Sequence, residues 1–157
     1  FVACAVPKPK RDAFLAQKLT ELGVAGFIPL LAERSVVIPR AGKQNKWKDL
    51  VVEAAKQCGR CTLMSIEKPM TTEELIARKT DFPVAVFLHP LAPRRLRDGL
   101  SPTGPILAAI GPEGGWTDEE TRAFEKAGFT GVNLGPSILR VETAAIATAA
   151  VVRALFA

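Results

Sequence analysis

Two glycine–proline stretches and one cysteine pair are the parts of this sequence whose residue types could do chemistry. Residues 110–120 read IGPEGGWTDEE: an apolar run, a glycine turn and an acidic helix start. Glycine loops between a strand and a helix commonly cradle phosphate with backbone N–H groups. A phosphate loop of the GxxxxGK[ST] kind needs a lysine to meet the phosphates and a hydroxyl to hold Mg²⁺. Here Glu113 stands where repulsion of an anion would be strongest, and Asp118, Glu119 and Glu120 follow it. Nor do Gly111, Gly114 and Gly115 supply the GxGxxG spacing of a dinucleotide fingerprint. A small ligand without strong negative charge remains, held by exposed backbone groups that glycine lets come close. Glu113 would meet a cationic group or accept backbone N–H groups at the helix start. The plainer reading is a strand-to-helix turn with a hydrophilic cap.

The second stretch, LGPSILRVETAA at 134–145, sets Arg140 and Glu142 at the threshold of the last helix. An exposed ion pair is the plain reading, although an arginine there opposes the helix dipole. Cys58-Gly-Arg-Cys61 has CxxC spacing, and Cys4 and the only histidine, His89, could complete a ligand set. The four are scattered, however, and only one pair has chelate spacing. The motif also ends a helical run, EAAKQ, where no helix N-terminus lowers a thiol pKa. Reduced structural thiols and no metal are expected. His89 lies beside the glycine loop and is tempting as a general base, but a single histidine is often merely polar lining.

These residues need elements to hold them. VACAV (2–6), FIPLL (27–31), SVVIP (35–39), LMSI (63–66), VAVFLH (84–89), PILAAI (105–110) and VNLG (132–135) read as strands. DAFLAQKLTELG (12–23) carries a helical apolar stripe that Gly23 stops. RAGKQNKWK (40–48) reads as a basic loop around Trp47, feeding a helix capped near Asn45 that runs to about Gln57. TTEELIAR (71–78) and TDEETRAFEKAG (117–128) open on capping boxes, Thr71 with Glu74 and Thr117 with Glu120. An Ala-rich helix closes the chain at 141–157. Strand and helix alternate, so the fold class is α/β, with a mainly parallel sheet and helices on both faces. Such sheets bind ligands at the carboxyl ends of their strands, where IGPEGG, LHP and NLGPSILR all fall.

The 157 residues, 48% hydrophobic and 24% charged, suit one globular domain over 1–157 and exclude disorder. No apolar stretch approaches the roughly 18 residues that span a bilayer. FVACAV followed by Lys8, Lys10 and Arg11 has the wrong charge order for a signal peptide, so no membrane partner and a cytoplasmic location are expected. A net charge of +5 suits a polyanionic partner such as RNA. The chain opens without Met inside a strand-like run, which suggests that a neighbouring N-terminal domain is absent.

LTELGVAGFIPLLAERSVV, EAAKQCGR, GPEGGWTDEE and LGPSILRVETAA, in order over nearly the whole chain, resemble the RsmE family. These are bacterial 16S rRNA (uracil-N3)-methyltransferases of the SPOUT class. The resemblance implies a C-terminal deep trefoil knot, which general topology rules would have argued against. It also implies a homodimer and an N-terminal PUA-like RNA-binding domain that this chain lacks. The implied cofactor is S-adenosylmethionine, which carries a sulfonium and no phosphate. Family likeness places it against Leu88, Gly111, Pro112, Glu113, Gly114, Leu134, Gly135, Ile138 and Leu139. Arg140 would stabilise the developing uridylate or fix the nucleotide, and Glu142 would orient Arg140 or relay the proton. Contacts to 16S rRNA in the small ribosomal subunit would come from Arg34, Lys46, Gln57 and Arg60. One rival is a SpoU-type ribose 2′-O-methyltransferase, whose last motif would carry an Asn-Val-Ser-like segment in place of ILRVETAA. Another is a non-catalytic RNA-binding domain, which has no need of the two glycine turns.

Overall fold

Val2, Ala3, Cys4 and Ala5 are all buried, so β1 (Val2–Ala5) presents apolar side chains to both sides and must lie inside a covered sheet. The computed structural model describes residues 1–39, 42–101 and 104–156. Within them follow α1 (Arg11–Glu21), β2 (Gly26–Leu31), α2 (Lys43–Cys58), β3 (Ser65–Ile66), β4 (Met70–Thr71) and α3 (Thr72–Ala77). Then come β5 (Val84–Leu88), β6 (Ile106–Ile110), α4 (Asp118–Lys126), β7 (Thr130–Val132) and α5 (Val141–Phe156). The strands form one sheet in the order β3-β2-β1-β6-β5-β7, with β4 also on β2. Every pairing is parallel.

Alternation along the strands sorts the core into two layers. Cys4, Phe27, Val86, Ala108 and Ile110 face Leu15 and Leu19 of α1, Trp47 and Val51 of α2, and Val141 and Ala145 of α5. Ala3, Ile28, Phe87, Leu107 and Ala109 face Leu75 of α3 and Phe124 of α4. Helices therefore cover both faces of a parallel sheet, as the alternation of elements predicts.

Both capping boxes form. The Thr71 hydroxyl accepts the Glu74 N–H and the Thr117 hydroxyl that of Glu120, while each glutamate accepts its cap residue's N–H in return. Residues 35–39 form no strand, contrary to their β-branched pattern. β2, which this run follows, is already flanked by β1 on one side and by β3 and β4 on the other, and Val36 and Ile38 stand exposed. The basic loop over 40–48 is also corrected. Arg40 lies outside the described residues, but α2 begins at Lys43, two residues before the expected cap at Asn45. Trp47 is fully buried in it and donates through Nε1 to the Asp12 carboxylate at 2.9 Å. The last strand ends at Val132; Asn133 adds an isolated parallel bridge to Arg95, and the chain bends at Leu134 and Gly135.

Candidate functional site

Leu88, Ile110 and Val132 are the final residues of β5, β6 and β7, and they form the floor of a cavity of about 190 Å³. Its walls are the two glycine turns. Gly115 N–H closes onto Pro112 C=O at 2.9 Å, tightening the first. In the second, Asn133 Oδ1 accepts Gly135 N–H at 2.9 Å. Of the residues that the resemblance assigned to the cofactor, Leu88, Gly111, Pro112, Glu113, Leu134, Gly135, Ile138 and Leu139 all line this one cavity. Gly114 does not line it; its carbonyl turns outward and accepts the Arg34 guanidinium at 2.9 Å.

The first turn is held by contacts no local pattern foretells. Trp116 donates through Nε1 to Leu88 C=O at 2.8 Å, and its ring lies so close to Gly111 that a Cβ there would sit 2.9 Å from Cε2. Arg34 reaches Trp116 C=O as well, at 3.3 Å. Glu120, buried at the start of α4, accepts Glu33 N–H at 3.0 Å, the Thr72 hydroxyl at 2.8 Å and Thr117 N–H at 3.0 Å. It thereby fixes the backbone from which Arg34 projects.

The lining is mostly apolar, with the neutral polar residues His89, Asn133 and Ser137, Glu113 as its one carboxylate, and no lysine or arginine. Among the described residues Glu113 makes no hydrogen bond or ion pair, so it does not cap α4; Thr117 does. Gly135 has φ +119°, and a Cβ built on it meets nothing within 4 Å, so glycine keeps space open at this wall. Ile138 is 86% exposed at the lip, an apolar side chain without cover. This donor set fits a neutral or cationic ligand with an apolar body and does not fit a phosphate.

His89 lines the same cavity and its Nδ1 accepts Leu91 N–H at 3.2 Å. Arg140 is exposed at the rim between Leu139 and Val141, and among the described residues its side chain has no ion-pair partner. Glu142 is 8% exposed and pairs not with Arg140 but with Arg11 of α1, at 3.5 Å. Its Oε2 is buried without a hydrogen-bond partner. Beneath it, burial pushes the Cys4 thiol pKa up, and the Glu142 and Glu113 carboxylates add to that.

The four expected RNA contacts do not gather in one place. Lys46 and Gln57 are exposed near opposite ends of α2, whose 16 residues span about 24 Å. Arg60 donates to Thr20 C=O at 3.0 Å, at the far end of α1 and the amino edge of the sheet. Arg34 is beside the cavity and holds the first glycine turn. Cys58 and Cys61 are exposed free thiols, and no group of three or more His, Cys, Asp or Glu among the described residues is placed to hold a metal ion.

Trp116, Asn133 and Arg11 are the participants that sequence reasoning did not assign. The first two sit inside the quoted motifs, GPEGGW and VNLG, so a signal existed. Arg11 had none beyond its charge.

Fold and cavity together define a parallel α/β domain shaped for a non-phosphorylated ligand at the carboxyl edge of its sheet. The chain belongs to the RNA methyltransferase domain family, whose model matches residues 1–153. It is 34% identical to Ribosomal RNA small subunit methyltransferase E of Synechocystis over 162 residues, covering 98% of this chain and 53% of that protein. It is also similar to a Legionella pneumophila protein solved with bound SAM: TM-score 0.90, 36% identity, 99% of this chain and 65% of that one. A Neisseria gonorrhoeae Ribosomal RNA small subunit methyltransferase E bound to S-adenosyl methionine gives TM-score 0.90 and 31% identity over 99% and 65%. The chain thus spans about half to two thirds of the length of these proteins.

Proposed function

We propose that this domain transfers a methyl group from S-adenosylmethionine to uracil N3 in small-subunit ribosomal RNA. The observation that carries the reading is the cavity: residues from two separated glycine turns converge on one space without a cationic side chain, and Arg140 stands at its rim. When bound, the cofactor supplies an electrophilic methyl carbon on sulfur. Leu88, Leu134, Ile138 and Leu139 would pack the faces of its adenine, and backbone groups of 111–115 and 133–137 would read the adenine edge. Glu113, which has no partner among the described residues, would meet the positive charge.

The chain's own residues must then hold a uracil at the rim and favour its anion. Uracil N3–H is a weak acid, so an acceptor for the proton and a nearby positive charge are both required. Glu142 is the acceptor in this reading, and Arg140 stabilises the charge that develops on the base. Alignment of the reacting atoms supplies much of the remaining acceleration.

The wider reading includes the parts carried by resemblance alone. A C-terminal trefoil knot is carried by the resemblance, and the structure sets Asn133 side by side with residues 92–96 through a parallel bridge to Arg95. The Asn133 N–H donates to Arg94 C=O at 2.8 Å, its C=O accepts Leu96 N–H at 2.9 Å, and its Nδ2 reaches Ala92 C=O at 2.7 Å. A homodimer is supported by the exposed apolar Phe14 and Leu155. An N-terminal RNA-binding domain is supported by the greater length of the relatives. A cytoplasmic location goes with an rRNA substrate, and no helix among the described residues is long and apolar enough to cross a membrane.

Nucleoside mass spectrometry of small-subunit RNA treated with the complete protein and S-adenosylmethionine tests this. The expected product is 3-methyluridine. Appearance of 2′-O-methyluridine in its place would hand the site to the ribose chemistry of SpoU-type enzymes.

A further inference from the structure

At the carboxyl edge of the sheet, the two layers of helices begin with opposite charge. On one face α3 opens with Glu73 and Glu74, and α4 with Asp118, Glu119 and Glu120. That is the sign a helix start favours. On the other face α1, α2 and α5 open among cations. Lys8 and Lys10 lead into Arg11, α2 starts at Lys43 with no acid in its first turn, and Arg140 immediately precedes α5. A cation at a helix start opposes the dipole, so helix stability does not account for these residues.

Side chains tie the three basic starts into one patch. The buried Asp12 carboxylate of α1 takes Lys43 Nζ and Trp47 Nε1 of α2, and Arg11 pairs with Glu142 of α5 at 3.5 Å. Asp12 and Glu142 are the two acids of these first turns, and both are thereby matched. Exposed Lys8, Lys10, Lys46 and Arg140 carry the surplus, which is most of the chain's net charge of +5. Leu139 and Val141, on either side of Arg140, line the cavity, whose own lining holds no lysine or arginine. A cationic shelf and a cation-free cavity are therefore neighbours.

The backbone at Lys10 points the same way. Its φ of +76° is the only positive value at a non-glycine among the described residues, in a conformation that favours glycine. The chain keeps a lysine there and turns it, with Lys8, out to solvent.

We infer that this shelf, Lys8, Lys10 and Lys46 with Arg140 at its inner edge, grips the phosphate backbone of the RNA that carries the target base. The strand crosses the starts of α1 and α2 and brings its base past Arg140 to the mouth of the cavity. The acidic starts of α3 and α4 repel it from the other face. Such contacts hold phosphates irrespective of sequence and fix where the strand lies. The inference rests on the reading of the domain as an rRNA methyltransferase. It moves the RNA path away from Gln57 and Arg60, at the far end of α2.

The test is filter binding of the complete protein to deproteinised small-subunit rRNA across about 50 to 200 mM salt. The variants are the double Lys8→Gln, Lys10→Gly, the single Lys46→Gln, and Lys126→Gln at the end of α4 on the opposite edge. A phosphate contact contributes about 0.7–0.9 to the slope of log K against log salt. The double variant should flatten that slope by about one to two and bind roughly tenfold more weakly at the lower salt, and Lys46→Gln should flatten it by about one. Lys126→Gln should match the parent. S-adenosylmethionine affinity of the double variant should stay parental, and its thermal midpoint should not fall, because glycine suits the backbone at position 10. Parental slope and affinity in the double variant, with 3-methyluridine still formed, would overturn the shelf and leave the methyltransferase reading standing. That is also the result expected of a patch that docks an acidic protein surface. An equal loss in Lys126→Gln would reduce the effect to net charge and overturn it too. A parent that binds no RNA would overturn both the shelf and the reading beneath it.

Discussion

Gly135 carries a simple physical demand. Its φ of +119° is a conformation that L side chains rarely adopt, and the space a Cβ would enter is part of the cavity. Gly135→Val should therefore weaken S-adenosylmethionine binding by more than roughly tenfold, about 1.4 kcal/mol. A thermal-shift titration checks it, and parental affinity would mean that this wall is not in contact with the ligand. Arg140 makes the opposite demand, because it is exposed, without an ion-pair partner among the described residues and absent from the lining. Arg140→Ala should bind cofactor as the parent does and lose turnover; single-turnover methylation decides between them. At this scale the sequence was informative where chemistry is local. The glycine turns were legible from residue type and spacing, whereas Arg140 and Glu142, read as an exposed pair, do not pair with each other. The partner of Glu142 was not legible, because Arg11 lies at the other end of the chain and only the packing of α1 on α5 brings it near.

Elements are positioned by a few polar anchors in an otherwise apolar core. Glu120 serves three donors from three segments, β2's following turn, α3 and the α4 cap. Glu120→Ala would leave those donors buried without an acceptor, at a cost of roughly 2–4 kcal/mol. Because Glu33 N–H is one of them, Arg34 should also lose its aim at Gly114. Urea denaturation reads the stability loss, and a change under about 0.5 kcal/mol would contradict the network. The two capping boxes were readable in advance, since each needs only residues three apart. The failed strand over 35–39 was not, since a β-branched run becomes a strand only when a neighbour offers free N–H and C=O groups. Trp47 failed for a similar reason. Its basic neighbours suggested a loop, whereas the residue that decides its place is Asp12 on another helix. The carbonyl partners of Arg34, 80 and 82 residues away, are likewise beyond any local pattern.

For the whole molecule, the alternation of elements was enough to give a parallel sheet covered on both sides. The strand order, with β6 and not β2 alone beside β1, depends on long-range pairing that no local pattern encodes. The central claim concerns the carboxyl edge of the sheet, where the cavity is built for a methyl donor and against a phosphate. Calorimetric titration of the chain with S-adenosylmethionine tests it most directly. The account predicts saturable heat at about one site per chain, lost in Gly135→Val. No heat from the unmodified chain would contradict it.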